Sequence, residues 1–406
     1  MQKKKANISR RSFLAGSLAA ATVATAASTR KILGANDRIR LGVIGTGNRS
    51  RSLMRNVNEI GNIEWAALSD IWDRRMDEAA EITGTVDKYA DYRKLLERQD
   101  IDGVIVGTFD HVHAQITVDA CRAGKDVYVE KPMTSLPEQG PEVVRVAKEA
   151  GRIVSVGMQQ RSIPHFIEAR ERFFDSGLIG EVNMVRTIWN GNGGYLFPVP
   201  PGMERKPVGL DWEACLAWLP KIPWDAKRYF NRFAYWDFST GGMTGGLFVH
   251  MVDVVHWFLG LEKPISAVAL GGIYQYNDGR DTPDNINLIL DYPKKVNVTF
   301  EANITDMASP EVADIVFMGT GGRLSIFRSG YSFLTSGEDK PAREITLKVS
   351  YGSARPHLAN WLECMGSRKK PNADATEGHY SSMACHIGNT AYKEKNRVEW
   401  RKEWDV

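Results

Sequence analysis

The stretch RIRLGVIGTGNRSRSLMRNV, Arg38 to Val57, reads as a strand, a glycine turn and the start of a helix. Leu41, Val43 and Ile44 are the apolar strand positions, and Gly45-Thr46-Gly47-Asn48-Arg49-Ser50 is the turn. In a dinucleotide-binding turn the first glycine permits the sharp bend and the second lets the backbone approach a pyrophosphate. The pyrophosphate then rests on the helix N-terminus. The third glycine of that fingerprint, which serves close helix packing, is Ser50 here, so the turn needs support from its surroundings.

The surroundings supply it. A second strand, IEWAALSD, ends at Asp70, 23 residues after Gly47, where an acid accepts hydrogen bonds from the adenosine ribose. Its charge repels a 2′-phosphate and favours NAD over NADP, although Arg74 and Arg75 lie close by in sequence. The competing reading makes Asp70 a helix N-cap before IWDRRMDEAAEI. Alternation continues through a helix at DKYADYRKLLERQ, a strand at IDGVIVGTF, a helix at HAQITVDACRAG and a strand at DVYVEKP. Strands and helices alternating at this spacing predict a doubly wound parallel sheet, with ligands beyond the strand C-terminal ends. Those ends carry Gly45, Asp70, Thr108 and Glu130-Lys131-Pro132.

The first residues stand apart. MQKKKANISRRSFLAGSLAAATVATAAS has a basic start, paired Arg10-Arg11, an Ala-rich weakly apolar run and a small-x-small site at Ala24-Thr25-Ala26. This is the layout of a twin-arginine export signal, too weakly apolar for a bilayer span of about 20 residues. Export of a folded chain implies a tightly held cofactor and a periplasmic destination. Five cations and no acid lie in Met1–Ala26, so the remainder carries −2 instead of +3 and has no basic surface for nucleic acid or membrane. The four cysteines are scattered, with neither a zinc knuckle nor a disulfide framework. The expected organisation is a signal and linker over 1–35, a nucleotide-binding domain over 36–158 and a substrate and oligomerisation domain over 159–406.

At TFDHVHA (Thr108 to Ala114) and Glu130-Lys131-Pro132 the chain resembles the Gfo/Idh/MocA family, the glucose–fructose oxidoreductases and inositol dehydrogenases. The likeness runs on through GMQQRSIPHFIEARERFFDSGLIGEV, GLDWEACLAWLP and WDFSTGG, with Phe109 in place of the family's proline. The resemblance implies a Rossmann-type domain followed by an α/β domain with a large, open, mostly antiparallel sheet that serves as a homo-oligomer interface in dimers or tetramers. It also implies hydride transfer between a nicotinamide and a carbohydrate or polyol carbon. Lys131 becomes the first catalytic candidate, because an ammonium beside the reacting hydroxyl stabilises a developing alkoxide. Gly45, Gly47, Asn48, Arg49, Asp70, Thr108, His113, Glu130, Lys131 and Gln159 are the expected cofactor contacts. For His113 the alternative is a plain helix cap.

The segment GGLFVHMVDVVHW, Gly245 to Trp257, matches the family's D-x-x-x-H-x-x-D pattern. His250 takes the general-base position and Asp253 the second acid, but glycine stands at 246 where the first acid belongs. Asp237 is the candidate to replace that acid and orient His250. At about 100° per residue His250, Asp253 and His256 spread over about 120° of a helix, too wide for one metal site, so no metal is expected. Asp253 and His256 read as structural hydrogen-bonding groups. Arg161, Trp224, Asp237 and His250 are the candidate substrate contacts. Trp189, Tyr195, Trp224, Tyr235 and Trp236 form a surplus of aromatics that suits a sugar cleft, although most such residues are core.

Three functions fit these residues. The first is an NAD-dependent oxidoreductase acting on a sugar, polyol or glycoside. The second is a redox-neutral glycoside hydrolase or lyase that works by transient oxidation and elimination, and the third is a carbohydrate-binding or nucleotide-binding protein without turnover.

Overall fold

A computed structural model describes residues 38–84, 87–191, 197–305, 313–337 and 353–406, with the backbone of 343–346. The stretch read as an export signal and Tyr195 lie outside these residues. Arg38–Val406 pack as one unit.

Six strands form the first sheet: β1 (Ile39–Ile44), β2 (Ile63–Ser69), β3 (Lys88–Tyr89), β4 (Gly103–Val106), β5 (Asp126–Val129) and β6 (Val154–Val156). They are all parallel, in the order β3-β2-β1-β4-β5-β6. This is the doubly wound order expected from the alternating pattern. All four residues of β4 and of β5 are buried, as strands covered by helices on both faces must be. The helices include α1 (Asn48–Ile60), α2 (Asp73–Thr83), α3 (Asp110–Arg122) and α4 (Gln139–Ala150). One expected helix is broken: DKYADYRKLLERQ yields edge strand β3 and then a short helix, Tyr92–Leu96, capped by Asp91. Pairing of Lys88 and Tyr89 with Leu68 and Ser69 outweighs the local helix preference.

The second sheet has nine strands: β7 (Val182–Asn190), β8 (Ser266–Gly272), β9 (Asn285–Tyr292), β10 (Val296–Asn303), β11 (Ile315–Gly319), β12 (Gly322–Ile326), β13 (Gly330–Thr335), β14 (Arg343–Thr346) and β15 (Val398–Glu399). Their order is β14-β13-β12-β11-β7-β10-β9-β8-β15, and only β7 and β10 run parallel. Alternation along β9 buries Ile286, Leu288, Leu290 and Tyr292 and turns Ile289 outward. Met184, Val268 and Leu270 are exposed with Ile289, so the outer face carries an apolar patch. The inner face packs on two helices, α5 (Val249–Leu259) and α6 (Ala375–Glu394), and one continuous hydrophobic core joins both sheets.

Helix α6 begins in a capping box: Asp374 accepts from the Thr376 and Glu377 amides, and Glu377 accepts from the Asp374 amide. From there it reaches both halves. Ser381 Oγ donates to Asp253 (3.0 Å), His386 Nε2 meets Thr134 Oγ1 (3.0 Å), and Asn389 Oδ1 accepts from Thr244 Oγ1 (2.7 Å). No helix of the described residues is long and apolar enough to cross a membrane.

Candidate functional site

Gly45 leaves β1 with φ +81°, and a Cβ there would stand 2.7 Å from Thr108 Cγ2 and 2.9 Å from the Gly107 carbonyl. Only glycine fits. Asp70 secures the turn: Oδ2 accepts from the Thr46 amide (2.6 Å) and the Thr46 hydroxyl (3.0 Å), while Oδ1 accepts from the Trp72 amide (3.0 Å). The helix-cap alternative fails, because Trp72 holds the N-cap position of α2 without a side-chain cap bond. Burial pushes the Asp70 carboxyl up, against the bonds from Thr46 and Trp72 that favour its charge. Ser50, in place of the third glycine, packs against Gly107, where an added Cβ would stand 2.1 Å from Ser50 Oγ. The missing glycine is thus compensated by one on the neighbouring strand end.

The start of α1 suits an anion. Gly47 at the N-cap supplies no side-chain bond, the first turn holds no acid, and a Cβ on Gly47 would meet nothing nearer than Arg75 Nη1 at 3.7 Å. The first-turn amides of α1 and the space over Gly47 fit a dinucleotide pyrophosphate. Arg75 donates to Asn48 Oδ1 (3.3 Å) at this turn, whereas Arg74 is paired with Glu78.

At the other end of the crevice, Glu130 is buried and accepts from Arg49 Nε (2.7 Å) and the Lys131 amide (3.3 Å). Burial opposes its charge, but Arg49 and Lys131 outweigh that and hold the carboxyl below its ordinary value. The Lys131–Pro132 bond is cis. Both nitrogens of buried His113 face carbonyls, Nδ1 that of Pro132 (2.8 Å) and Nε2 that of Thr108 (3.3 Å). His113 therefore ties the ends of β4 and β5 together and caps nothing. Gln159 follows β6 with a buried Oε1 that has no partner.

Lys131 Nζ donates to the Gly246 carbonyl (2.7 Å), which belongs to a π-type turn, Thr244–Phe248, leading into α5. A backbone oxygen thus faces the lysine from the position where the family carries a carboxylate. Burial depresses the Lys131 ammonium, with Glu130 and Asp110 opposing. One turn on, His250 Nδ1 is buried without a partner. Burial, then the Lys131 charge, pushes this imidazole well below its ordinary value, so it is a neutral base at physiological pH. Lys131 thus meets the turn that leads into the helix of His250, and its charge bears on that imidazole.

Other expectations are corrected. Asp237 accepts from Arg228 and makes no bond to His250, so it does not orient the base. Arg161 does not reach into an open cleft: its Nε lies 2.9 and 3.0 Å from the Asp253 oxygens, both side chains buried. His256 bonds the Tyr292 hydroxyl (2.7 Å), so Asp253 and His256 are structural, as their spacing suggested. Among the described residues no three His, Cys, Asp or Glu side chains gather to hold a metal.

Trp224 packs edge-on to Trp212 (5.0 Å), donates to the Glu204 carbonyl (3.1 Å), and joins a separate aromatic core with Trp72, Tyr229, Tyr235 and Phe238. Trp236 stacks on Tyr392, and Trp189 lies under Arg328. Most of the aromatic surplus therefore builds protein. The same core explains Phe109, whose ring meets Tyr229 (5.4 Å) and Phe238 (5.5 Å) and docks the end of β4 against residues 210–238. Asp110, not singled out from the sequence, accepts from the Thr240 amide (3.1 Å) and bears electrostatically on Lys131.

Two family models match the chain. One, described as "Oxidoreductase family, NAD-binding Rossmann fold", covers residues 39–158, and the other, "GFO/IDH/MocA C-terminal domain", covers 219–325. Inositol 2-dehydrogenase 2 of Saccharopolyspora erythraea is 30% identical over 167 residues, 41% of this chain and 48% of that protein. Inositol 2-dehydrogenase of Salmonella typhimurium is 29% identical over 224 residues, 54% of each chain. The chain spans about half the length of the curated relatives it matches. Among solved structures, levoglucosan dehydrogenase in complex with NADH superposes with TM-score 0.72 at 14% identity, over 89% of this chain and 99% of that one. An oxidoreductase domain protein from Kribbella flavida gives TM-score 0.72 at 18% identity, over 90% and 100%. At these identities the structures establish the shared fold.

Proposed function

The chain belongs to the Gfo/Idh/MocA oxidoreductase family, and on that premise we propose that it is an NAD-dependent oxidoreductase acting on a CH–OH carbon of a sugar, polyol or glycoside. Residues 36–158 hold the nucleotide and 159–406 the substrate. The observation that carries this reading is the meeting of Lys131 with the π-type turn before His250. The inositol dehydrogenase relatives and the NADH-bound levoglucosan dehydrogenase support the substrate class and cofactor.

NAD, when bound, supplies the hydride acceptor. Gly45, Gly47, Asn48 and Arg49 line the pyrophosphate end, Asp70 faces the adenosine ribose and favours NAD over NADP, and Thr108, His113, Glu130 and Gln159 frame the nicotinamide end. Lys131 uses one N–H on the Gly246 carbonyl and keeps two for the substrate hydroxyl. His250 receives the hydroxyl proton. Trp224, Asp237 and Arg161 support the cleft walls instead of reading the substrate.

Twin-arginine export fits a nucleotide that is acquired before export and kept. The protein purified from the periplasmic fraction and then denatured should release nearly one NAD per chain. The apolar outer face of the nine-stranded sheet supports a dimer or tetramer, which sedimentation of the same sample reads. Purified protein that neither carries nor binds a nicotinamide nucleotide would end this reading. Sugar release from glycosides without net cofactor reduction would instead favour the redox-neutral hydrolase or lyase.

The His250 assignment has a sign. Its imidazole is depressed, so alcohol oxidation should persist as pH falls through the ordinary imidazole range near 6.5 and fail only lower. His250→Ala should lower turnover by roughly 10²–10³-fold and remove that acid limb from the pH–rate profile. A variant with the wild-type profile would point to a different base.

A further inference from the structure

We propose that Arg232 is a carboxylate-binding residue and that the substrate is an acidic carbohydrate, an inference that rests on the oxidoreductase reading. Arg232 and Lys131 flank the same turn. The carbonyl of Phe233, the next residue, would lie 2.7 Å from a Cβ on Gly242, the Gly242 carbonyl accepts from the Gly246 amide (2.8 Å), and the Gly246 carbonyl accepts from Lys131. Arg232 is also one of the cations that weigh against the Lys131 ammonium.

Other arginines described above are paired. Arg49 is paired with Glu130, Arg228 with Asp225 and Asp237, and Arg161 with Asp253. Arg232 is half-buried, stacks on the Phe233 ring (4.4 Å), and has a buried Nε without a hydrogen-bond partner. Among the described residues no carboxylate pairs with it. A half-buried guanidinium without a counter-ion is uncommon, because charge withdrawn from water is ordinarily paired. Of the two other cations that bear on Lys131, Arg49 is paired with Glu130 and Arg232 has no carboxylate partner among the described residues.

One planar fork without a counter-ion suits a singly charged carboxylate. A dianionic phosphate calls for a second cation or a cluster of backbone amides, and the amides of this molecule stand at the far end, over Gly47. The Gly242 side of the crevice would thus hold the acid group of a uronate or aldonate while Lys131 and His250 attend its ring hydroxyl.

The test compares sugars differing only at C6. With NADH present, D-glucuronate and D-galacturonate should bind the wild-type protein roughly 10–100-fold more tightly than D-glucose and D-galactose, about the range of a charged hydrogen-bonded pair. Arg232→Gln should erase that preference, leaving NADH affinity and neutral-sugar binding unchanged. Equal binding of acid and neutral sugars by the wild type overturns the inference and needs no variant. So does a preference that survives in Arg232→Gln, or a loss of NADH affinity in that variant, which would assign the arginine to the nucleotide. Wild-type protein that binds no NADH would instead defeat the oxidoreductase reading itself.

Discussion

Lys131→Met is expected to lower turnover by about 10³-fold or more, with the protein still folded and still binding NAD. The figure reflects loss of the ammonium that stabilises the developing alkoxide and that bonds across to the Gly246 carbonyl. Methionine keeps the length and apolar stem but donates nothing to the substrate or to the Gly246 carbonyl. That carbonyl loses one partner, a cost of about 1 kcal/mol, too little to unfold the chain. Lys131→Arg should not restore activity, since a guanidinium is broader and does not release its proton near neutral pH. Glu130→Gln acts in the opposite sense to repair: it withdraws the charge that most supports the ammonium, so Lys131 loses its proton at still lower pH. Steady-state kinetics and equilibrium NAD binding on the same sample read these effects. Turnover within about tenfold of wild type in Lys131→Met would remove Lys131 from the chemistry.

The second large effect concerns folding. Asp253→Ala leaves the Arg161 guanidinium buried without its carboxylate and takes the partner from Ser381. Breaking one side of a buried ion pair costs about 3–5 kcal/mol, a large part of the stability of an ordinary domain. Urea unfolding should show the midpoint falling accordingly. The double variant Arg161→Met with Asp253→Leu should regain most of the loss, because an apolar pair needs no charge compensation. A single-variant loss below about 1 kcal/mol would mean that water reaches Arg161 and that the pair is not the buried tie it is taken for. This pair also explains why His250 and Asp253, so close on α5, do different things: one ring nitrogen is left open to the crevice, and the carboxylate is consumed in holding Arg161, two residues past Gln159, against the helix.

The parallel sheet and its edge were legible because they follow local rules. Apolar runs of four to seven residues, glycine at a turn with positive φ and an acid at the end of β2 mark Gly45 and Asp70 without knowledge of the rest. Lys131 was legible through the Glu-Lys-Pro motif. What escaped depends on partners far away in sequence. Gly246 looks like a deletion of function until its carbonyl meets a lysine 115 residues earlier. Asp237 looked like a substitute acid because it precedes α5, yet Arg228 takes it. Trp224 and Tyr235 looked like sugar platforms, but the aromatic core built by Trp72 and residues 210–238 claims them. Phe109, a departure from the family's proline, becomes intelligible only when Tyr229 and Phe238 surround it.

Helix α6 has a consequence for the order in which the protein can become competent. A nascent chain that has emerged only as far as residue 370 possesses Lys131, His250 and the whole glycine turn. It lacks Ser381 for Asp253, His386 for Thr134 and Asn389 for Thr244, and so keeps fewer bonds, among them those of Lys131 to Gly246 and of Thr240 to Asp110, to hold the two halves together there. The surroundings of the reacting groups are therefore completed only once α6 has been made and has docked. A truncated product could carry every catalytic side chain and still be idle.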